Sequence, residues 1–344
     1  SDQSPLDATA GAVSVSFSDI PTRFQTGSIY VSNYASASDG GVVSLGNVSL
    51  SLDNANAGTS LVTNNGTLLG PVSLGSSAYG DLINPNTVSL NLTNNSQLDT
   101  LDASVYLAAS GSYASGTQRS ANVSFVSDAS TLNAGYLSLS SDASSYESGV
   151  DSQSGAVTAI LRNGSSVTSS SGTYLRSQAI GGSGFDGGSG TGGAVGFTLS
   201  DSSYSGDLSL RSTGSAGRRG DIAGLSGVGT GGDVSFTQSG KTASFTGSQV
   251  TVSSLGQGGA AFESARTGLG SQVGDGASGI GGTATFTITD GTFAASTLVV
   301  SATGEGGNGQ NAAGGVPGAG GLGLGGSAAL NVTGGLVSVP DITV

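Results

Sequence analysis

The stretch Gly281–Gly304 reads GGTATFTITDGTFAASTLVVSATG. Ala284, Phe286 and Ile288 alternate with Thr283, Thr285 and Thr287, a period of two that predicts a strand with one buried face. Asp290-Gly291 then predicts a turn, because Asp bonds its own backbone and Gly enters left-handed conformations without steric cost. A second apolar strand, TLVVSA from Thr297, closes on S-x-T-G, and a glycine-rich run begins.

Copies of this unit run along the whole chain. The first inward position is Val13, Val48, Val88, Val123, Val157, Val195, Val234, Ala284 and Ala328, at intervals of 35, 40, 35, 34, 38, 39, 50 and 44 residues. Two residues on, the column is Val15, Leu50, Leu90, Phe125, Ala159, Phe197, Phe236, Phe286 and Leu330. Four residues on stand Phe17, Leu52, Leu92, Ser127, Leu161, Leu199, Gln238, Ile288 and Val332. Positions between are mostly Ser, Thr or Asn. The turn column holds Asp19, Asn54, Asn94, Asn163, Asp201 and Asp290, with Gly240 and Gly334 in the same place. Second strands are expected at Tyr136, Tyr174, Asp207, Gln249 and Thr297, and in vaguer register at Ser28 and Val105.

A unit with one narrow apolar face cannot bury it alone, but stacked copies can. Each inward Val, Leu or Phe contributes roughly 1.5 to 3 kcal/mol on burial. The fold expected is therefore all-β: a single parallel β-helix over residues 1–344, right-handed, of about nine coils, with an apolar ladder inside and Ser/Thr outside. Residues 1–180 form Ser/Asn-rich coils with short connections. Residues 181–344 carry 45 of the 62 glycines, in long insertions expected to leave one corner and build a second layer. These insertions end alike, GTGG at Gly190 and Gly229, GIGG at Gly279 and GLGG at Gly323, so the end is fixed while the length is free. They also carry apolar residues, among them Ile222, Leu225, Leu269, Val273, Val316, Leu322 and Leu324, which a solvated spacer does not need. Interaction with a partner is expected along these runs, around Gly214, Gly232, Gly256, Gly282, Gly304 and Gly326.

Composition narrows function by exclusion. The chain has a net charge of −13, with nine Lys and Arg and no basic stripe, which argues against nucleic acid. No apolar stretch approaches the ~18 residues of a membrane helix, so no membrane insertion is expected. His and Cys are absent, which removes the usual general bases, thiol nucleophiles and zinc ligands. Carboxylates remain, but Asp19, Asp201 and Asp290 occupy repeat turns and no catalytic cluster breaks the repeat, so no enzyme activity is expected. The segment from Gly181, GGSGFDGGS, matches the first six positions of the calcium-binding nonapeptide, making Asp186 a calcium candidate. Gly188 stands where that motif needs an apolar residue, and tandem copies are missing. No other cofactor is expected. The chain begins Ser1-Asp2-Gln3-Ser4 without Met or a leader, as expected of a processed or excised piece.

With V-x-[FL]-x-[LIV]-[ST]-[DN] units and G-x-G-G closures, the chain resembles secreted bacterial β-helix proteins of the filamentous-haemagglutinin and autotransporter-passenger type. The resemblance covers nearly the whole chain and is architectural. It implies an exported, elongated, often adhesive surface protein without a cofactor. The size of the glycine insertions departs from that pattern, as does the want of a recognisable secretion cap or translocator segment. The expected role is a non-catalytic extracellular structural or adhesive rod whose partners are other copies of itself or a surface glycan or other host or cell-surface component. The alternative is a self-assembling subunit of a filament or surface layer. A glycan-active β-helix enzyme is a third reading.

Overall fold

The structure, a computed structural model, describes residues 6–37, 41–63, 66–82, 86–112, 116–219, 226–261, 275–309 and 318–344. These residues contain no helix, and their strands pair almost wholly in parallel, in a solenoid-like arrangement. The first strand of each unit lies directly on that of the next. Val13 pairs with Val48, Val48 with Val88, Val88 with Val123, and so on through Val157, Val195, Val234, Ala284 and Ala328 without a slip in this column. We call this the front ladder. A one-residue slip would turn every inward side chain outward, so the shared column fixes the register. Val48, Leu50, Val88, Leu90, Val123, Phe125, Val195, Phe197, Val234, Phe236, Phe286 and Ile288 are buried. At the two ends Val13, Phe17 and Leu330 are half-buried, and Val332 is exposed. The two polar members of the third column also point inward. Ser127 donates to the carbonyl of Ser130 at 3.3 Å, and Gln238 Nε2 donates to the carbonyls of Asp290 and Thr292 at 3.3 and 3.0 Å.

Left-handed backbone occurs at Asp19, Asn54, Asn94, Asn163, Asp201 and Gly240, as the turn chemistry requires. The fourth unit puts Ala129 there, at φ 50°. In the last two units the left-handed residue is Gly291 and Gly335, one position after the expected Asp290 and Gly334. In both, the following position offers glycine, the residue without Cβ strain. The turn side chains form a second line of contacts between units. Asn54 donates to Asp19, Asn94 to Asp53 and Asn163 to Asp128, at 3.0, 2.6 and 2.7 Å.

Beyond the turn a short strand follows that the sequence pattern does not mark, as at Thr131–Ala134, Ser203–Ser205, Ser244–Thr246 and Thr292–Ala294. This turn ladder shares a sheet with the front ladder because Val48–Gly58 runs through the bend and pairs with both. Each short strand sends in one large apolar side chain, among them Leu132, Val167, Tyr204, Phe245 and Phe293, and the longer ones bury a small residue as well, Ala134 and Ser169. Two columns of rings therefore meet inside. Phe197, Phe236 and Phe286 stack at 5.7 and 4.5 Å, and Tyr204, Phe245 and Phe293 stack at 5.1 and 4.7 Å. Edge-to-face contacts join the columns at 5.3, 5.7 and 5.1 Å for 197–204, 236–245 and 286–293. Both geometries are the favoured ones for ring quadrupoles.

The third strand of each unit builds the wide ladder, which runs from Ile29–Ser36 through Val72–Tyr79, Ser104–Ser112, Tyr136–Ser144, Thr173–Ile180, Leu208–Ser215, Gln249–Gln257 and Thr297–Glu305 to Asp341–Thr343. Its Val72 and Asp341 strands were not anticipated. Serine also lines the inside, in two buried columns away from the front ladder. Along the turn, the backbone amides of Ala55, Ser96, Ser130 and Ser165 donate to the hydroxyls of Ser96, Ser130, Ser165 and Ser202 of the following unit, at 3.1 to 3.3 Å. On the wide ladder, Ser141, Ser177, Ser212 and Ser254 face inward, and Gly155, Gly193, Gly232 and Gly282 donate their amides to these hydroxyls at 3.0, 2.8, 2.9 and 2.9 Å. A buried polar group without a partner is costly, and here serine and glycine amide satisfy each other.

That clip explains why G-x-G-G is fixed. A Cβ on Gly193, Gly232 or Gly282 would overlap a backbone carbonyl of the unit before it. Upstream of the clip, Gly190–Thr191, Val228–Thr230, Ser278–Ile280 and Gly323–Leu324 pair as a short ladder lying against the wide one, and this second layer reaches back before the glycine-rich half through Ser152–Gln153 to Gln118–Arg119, so the glycine insertions do not build it alone. The glycine runs join by N–H to O=C bonds as well: Gly188 to Gly182, Gly217 to Gly188, Ala277 to Gly259, Gly307 to Ala277 and Gly321 to Gly307, 2.8 to 2.9 Å each. Ile222, Leu225, Leu269, Val273 and Val316 lie outside the described residues. At the N-terminal end the corresponding layer is a different three-stranded ladder, Ala8–Ala10, Val42–Leu45 and Asp81–Leu82, closed by Ala35, Ala37, Val43, Leu45 and Ala78.

Candidate interaction surface

The six glycines expected to mark interaction loops lie in strands or strand junctions. Gly214, Gly256 and Gly304 belong to the wide ladder, in one column. Added Cβ atoms there would overlap the carbonyls of Thr230, Ile280 and Leu324 in the short ladder. Gly232 and Gly282 sit in the serine clip, and Gly326 donates its amide to the carbonyl of Ala302 at 3.1 Å. Their small size lets two sheets touch backbone to backbone. Of the apolar residues in the runs, Leu322 and Leu324 are exposed.

Asp186, the calcium candidate, is held by its backbone. Its amide donates to the Ser148 hydroxyl at 2.9 Å, and its carbonyl accepts from the Gly149 amide at 3.1 Å. Among the described residues no three acidic side chains come together in a way that would hold a metal ion.

Among the described residues, the outward face of the wide ladder collects most of the exposed aromatic rings. Tyr30, Tyr34 and Tyr106 are exposed, and Tyr136 and Tyr174 are half-buried. Tyr106, Tyr136 and Tyr174 lie on three successive strands, with the first two rings 6.4 Å apart edge to face. Burial first, then the neighbouring Tyr174, pushes the Tyr136 hydroxyl above its ordinary pKa. Next along the ladder the register runs Tyr136, Gly172, Asp207, Gln249 in one column and Tyr174, Ser209, Thr251 in the adjoining one. Gly172, at φ 95°, leaves that column without a side chain between Tyr136 and Asp207. The result is an open depression of about 310 Å³.

Charge around this depression balances in number, Arg176 and Arg211 against Asp142 and Asp207. Arg176 and Arg211 are direct cross-strand neighbours, a placement that is destabilising when like charges stand unbalanced. Arg176 is held by Asp142 at 2.6 Å, and burial raises the Asp142 carboxyl pKa against the pull of Arg176. Arg211 makes no ion pair among the described residues. Asp207 is fixed through one carboxylate oxygen, which accepts the amides of Ser248 and Gln249 at 2.7 and 2.9 Å. The Ser209 hydroxyl has no protein partner.

Comparison with protein-family models, curated proteins and solved structures found no match for this chain.

Proposed function

We propose that the protein is a non-catalytic extracellular rod, structural or adhesive, displayed at or beyond a bacterial surface. The rod is a right-handed solenoid of about nine coils. The observation that carries this reading is the continuous register of the front ladder from Val13 to Ala328. Parallel stacking of this kind spends the interior on apolar, aromatic and serine columns and leaves long regular polar faces outside. Such a body holds surface groups at fixed spacing over its whole length. Negative-stain electron microscopy of the purified chain tests the shape, and protease shaving of intact producing cells tests the location. Compact particles, or protection from the protease, count against it.

A further inference from the structure

We propose that the depression between Tyr136 and Asp207 binds a neutral hexopyranose unit of an oligosaccharide lying along the stack. This deepens the adhesive reading and rests on it. Sugar rings present apolar C–H faces and a rim of hydroxyls, so they match a site that offers aromatic surface beside planar polar groups. The depression has both. Tyr136 and Tyr174 supply the aromatic walls. The Arg211 fork donates, the second oxygen of Asp207 accepts, and the Gln249 amide does either. Asp207 is already anchored by two backbone amides, so little ordering is left to be lost on binding.

Spacing supports an oligosaccharide over a single sugar. Strands of one sheet lie about 4.8 Å apart, close to the length of one pyranose in an extended chain, and Tyr106, Tyr136 and Tyr174 occupy consecutive strands. Charge decides for a neutral ligand. Asp142 offsets Arg176 and Asp207 offsets Arg211, and the chain as a whole carries −13, which repels polyanions.

Affinity electrophoresis in native gels tests this with mannan, galactan and a soluble β-glucan as neutral hexopyranose probes and polygalacturonate and dextran sulfate as anionic ones. At least one neutral polysaccharide should retard the chain, and Tyr136→Ala and Tyr174→Ala should each weaken that retardation about five- to tenfold, the worth of one ring contact. Arg211→Gln should weaken it too, while Tyr30→Ala, distant on the same face, should not. Unchanged thermal melting of the variants shows that folding is intact. Retardation by no neutral probe, by the anionic probes alone, or with equal strength in Tyr136→Ala overturns the proposal. Cell attachment by the wild-type chain that persists in Tyr136→Ala sinks the sugar site and leaves the adhesive reading standing. Saccharide binding without any cell attachment does the reverse.

Discussion

Replacing Phe236 by Ala removes the ring on which both interior aromatic columns converge. Phe236 stacks on Phe197 at 5.7 Å and Phe286 at 4.5 Å, and meets Phe245 and Phe293 edge to face at 5.7 and 5.8 Å. Core Phe→Ala changes cost about 3 to 5 kcal/mol, and more when the site cannot collapse. Collapse is opposed here because the backbone is pinned on both sides, Val195 to Val234 and Val234 to Ala284. The expected loss is therefore about 4 to 5 kcal/mol. Phe236→Leu keeps most of the apolar volume and gives up the ring contacts, so it should lose about 1 to 2 kcal/mol. Repeat stacks are coupled chiefly to nearest neighbours, so the damage should be local. Urea unfolding followed by circular dichroism measures the loss, and amide hydrogen exchange locates it. Protection should fall at Val195–Ser200 and Thr283–Ile288 and hold at Val48–Gly58. A cost for Phe236→Ala under about 1.5 kcal/mol, well below the range for core rings, or an equal loss of protection along the whole chain, would refute the reasoning.

Ala129 occupies a left-handed turn position at φ 50°, and Ala129→Gly should raise stability by about 0.5 to 1 kcal/mol once the extra freedom of unfolded glycine is subtracted. A denaturation midpoint that drops counts against this. Gly256→Ala forces a methyl group onto the Ile280 carbonyl and should part the wide and short ladders, visible as a fall in melting temperature. Gly196→Ala is the control, since its new Cβ lies an ordinary 3.5 Å from Ser235 Oγ, and it should be neutral or slightly stabilising. The Asn163 amide, and after it Arg162, hold the Asp128 carboxyl below its ordinary 3.8. A depressed carboxylate adds stability above the unfolded-state pKa and loses it as pH falls through the folded one. Asp128→Asn should thus lower the melting temperature at pH 7, by the equivalent of under about 1 kcal/mol at so exposed a site, and the gap to wild type should close at acid pH. Asp142 contributes with the opposite sign, because burial raises its pKa. Its term is present in acid and lost as pH rises through the raised value.

The front ladder was legible because each unit spends six residues on one alternating pattern and marks its end with Asp, Asn or Gly. The turn ladder was not. It is three or four residues long and buries one or two side chains per unit, too few for Tyr204, Phe245 and Phe293 to form a period. The buried serines were illegible for another reason. Ser141 and Ser177 read as solvent-facing until the partner amides of Gly155 and Gly193 are brought opposite by stacking. The fixed G-x-G-G was visible in sequence, but its cause is contact with a serine of the preceding wide-ladder strand and a carbonyl of the unit before. The tyrosine face escaped because Tyr106 and Tyr136 fall in different columns of the wide ladder, and no single-column alignment places them side by side.

Stacking in parallel register also has a mechanical consequence. The bonds between successive levels point along the direction in which the levels accumulate, so tension applied at the two ends opens them one level at a time and never shears many at once. Each level that peels away frees 34 to 50 residues, about 110 to 180 Å of extended chain. A stack of this construction yields under load in a series of long extensions, absorbing work at each while the levels still folded keep their shape and whatever they hold.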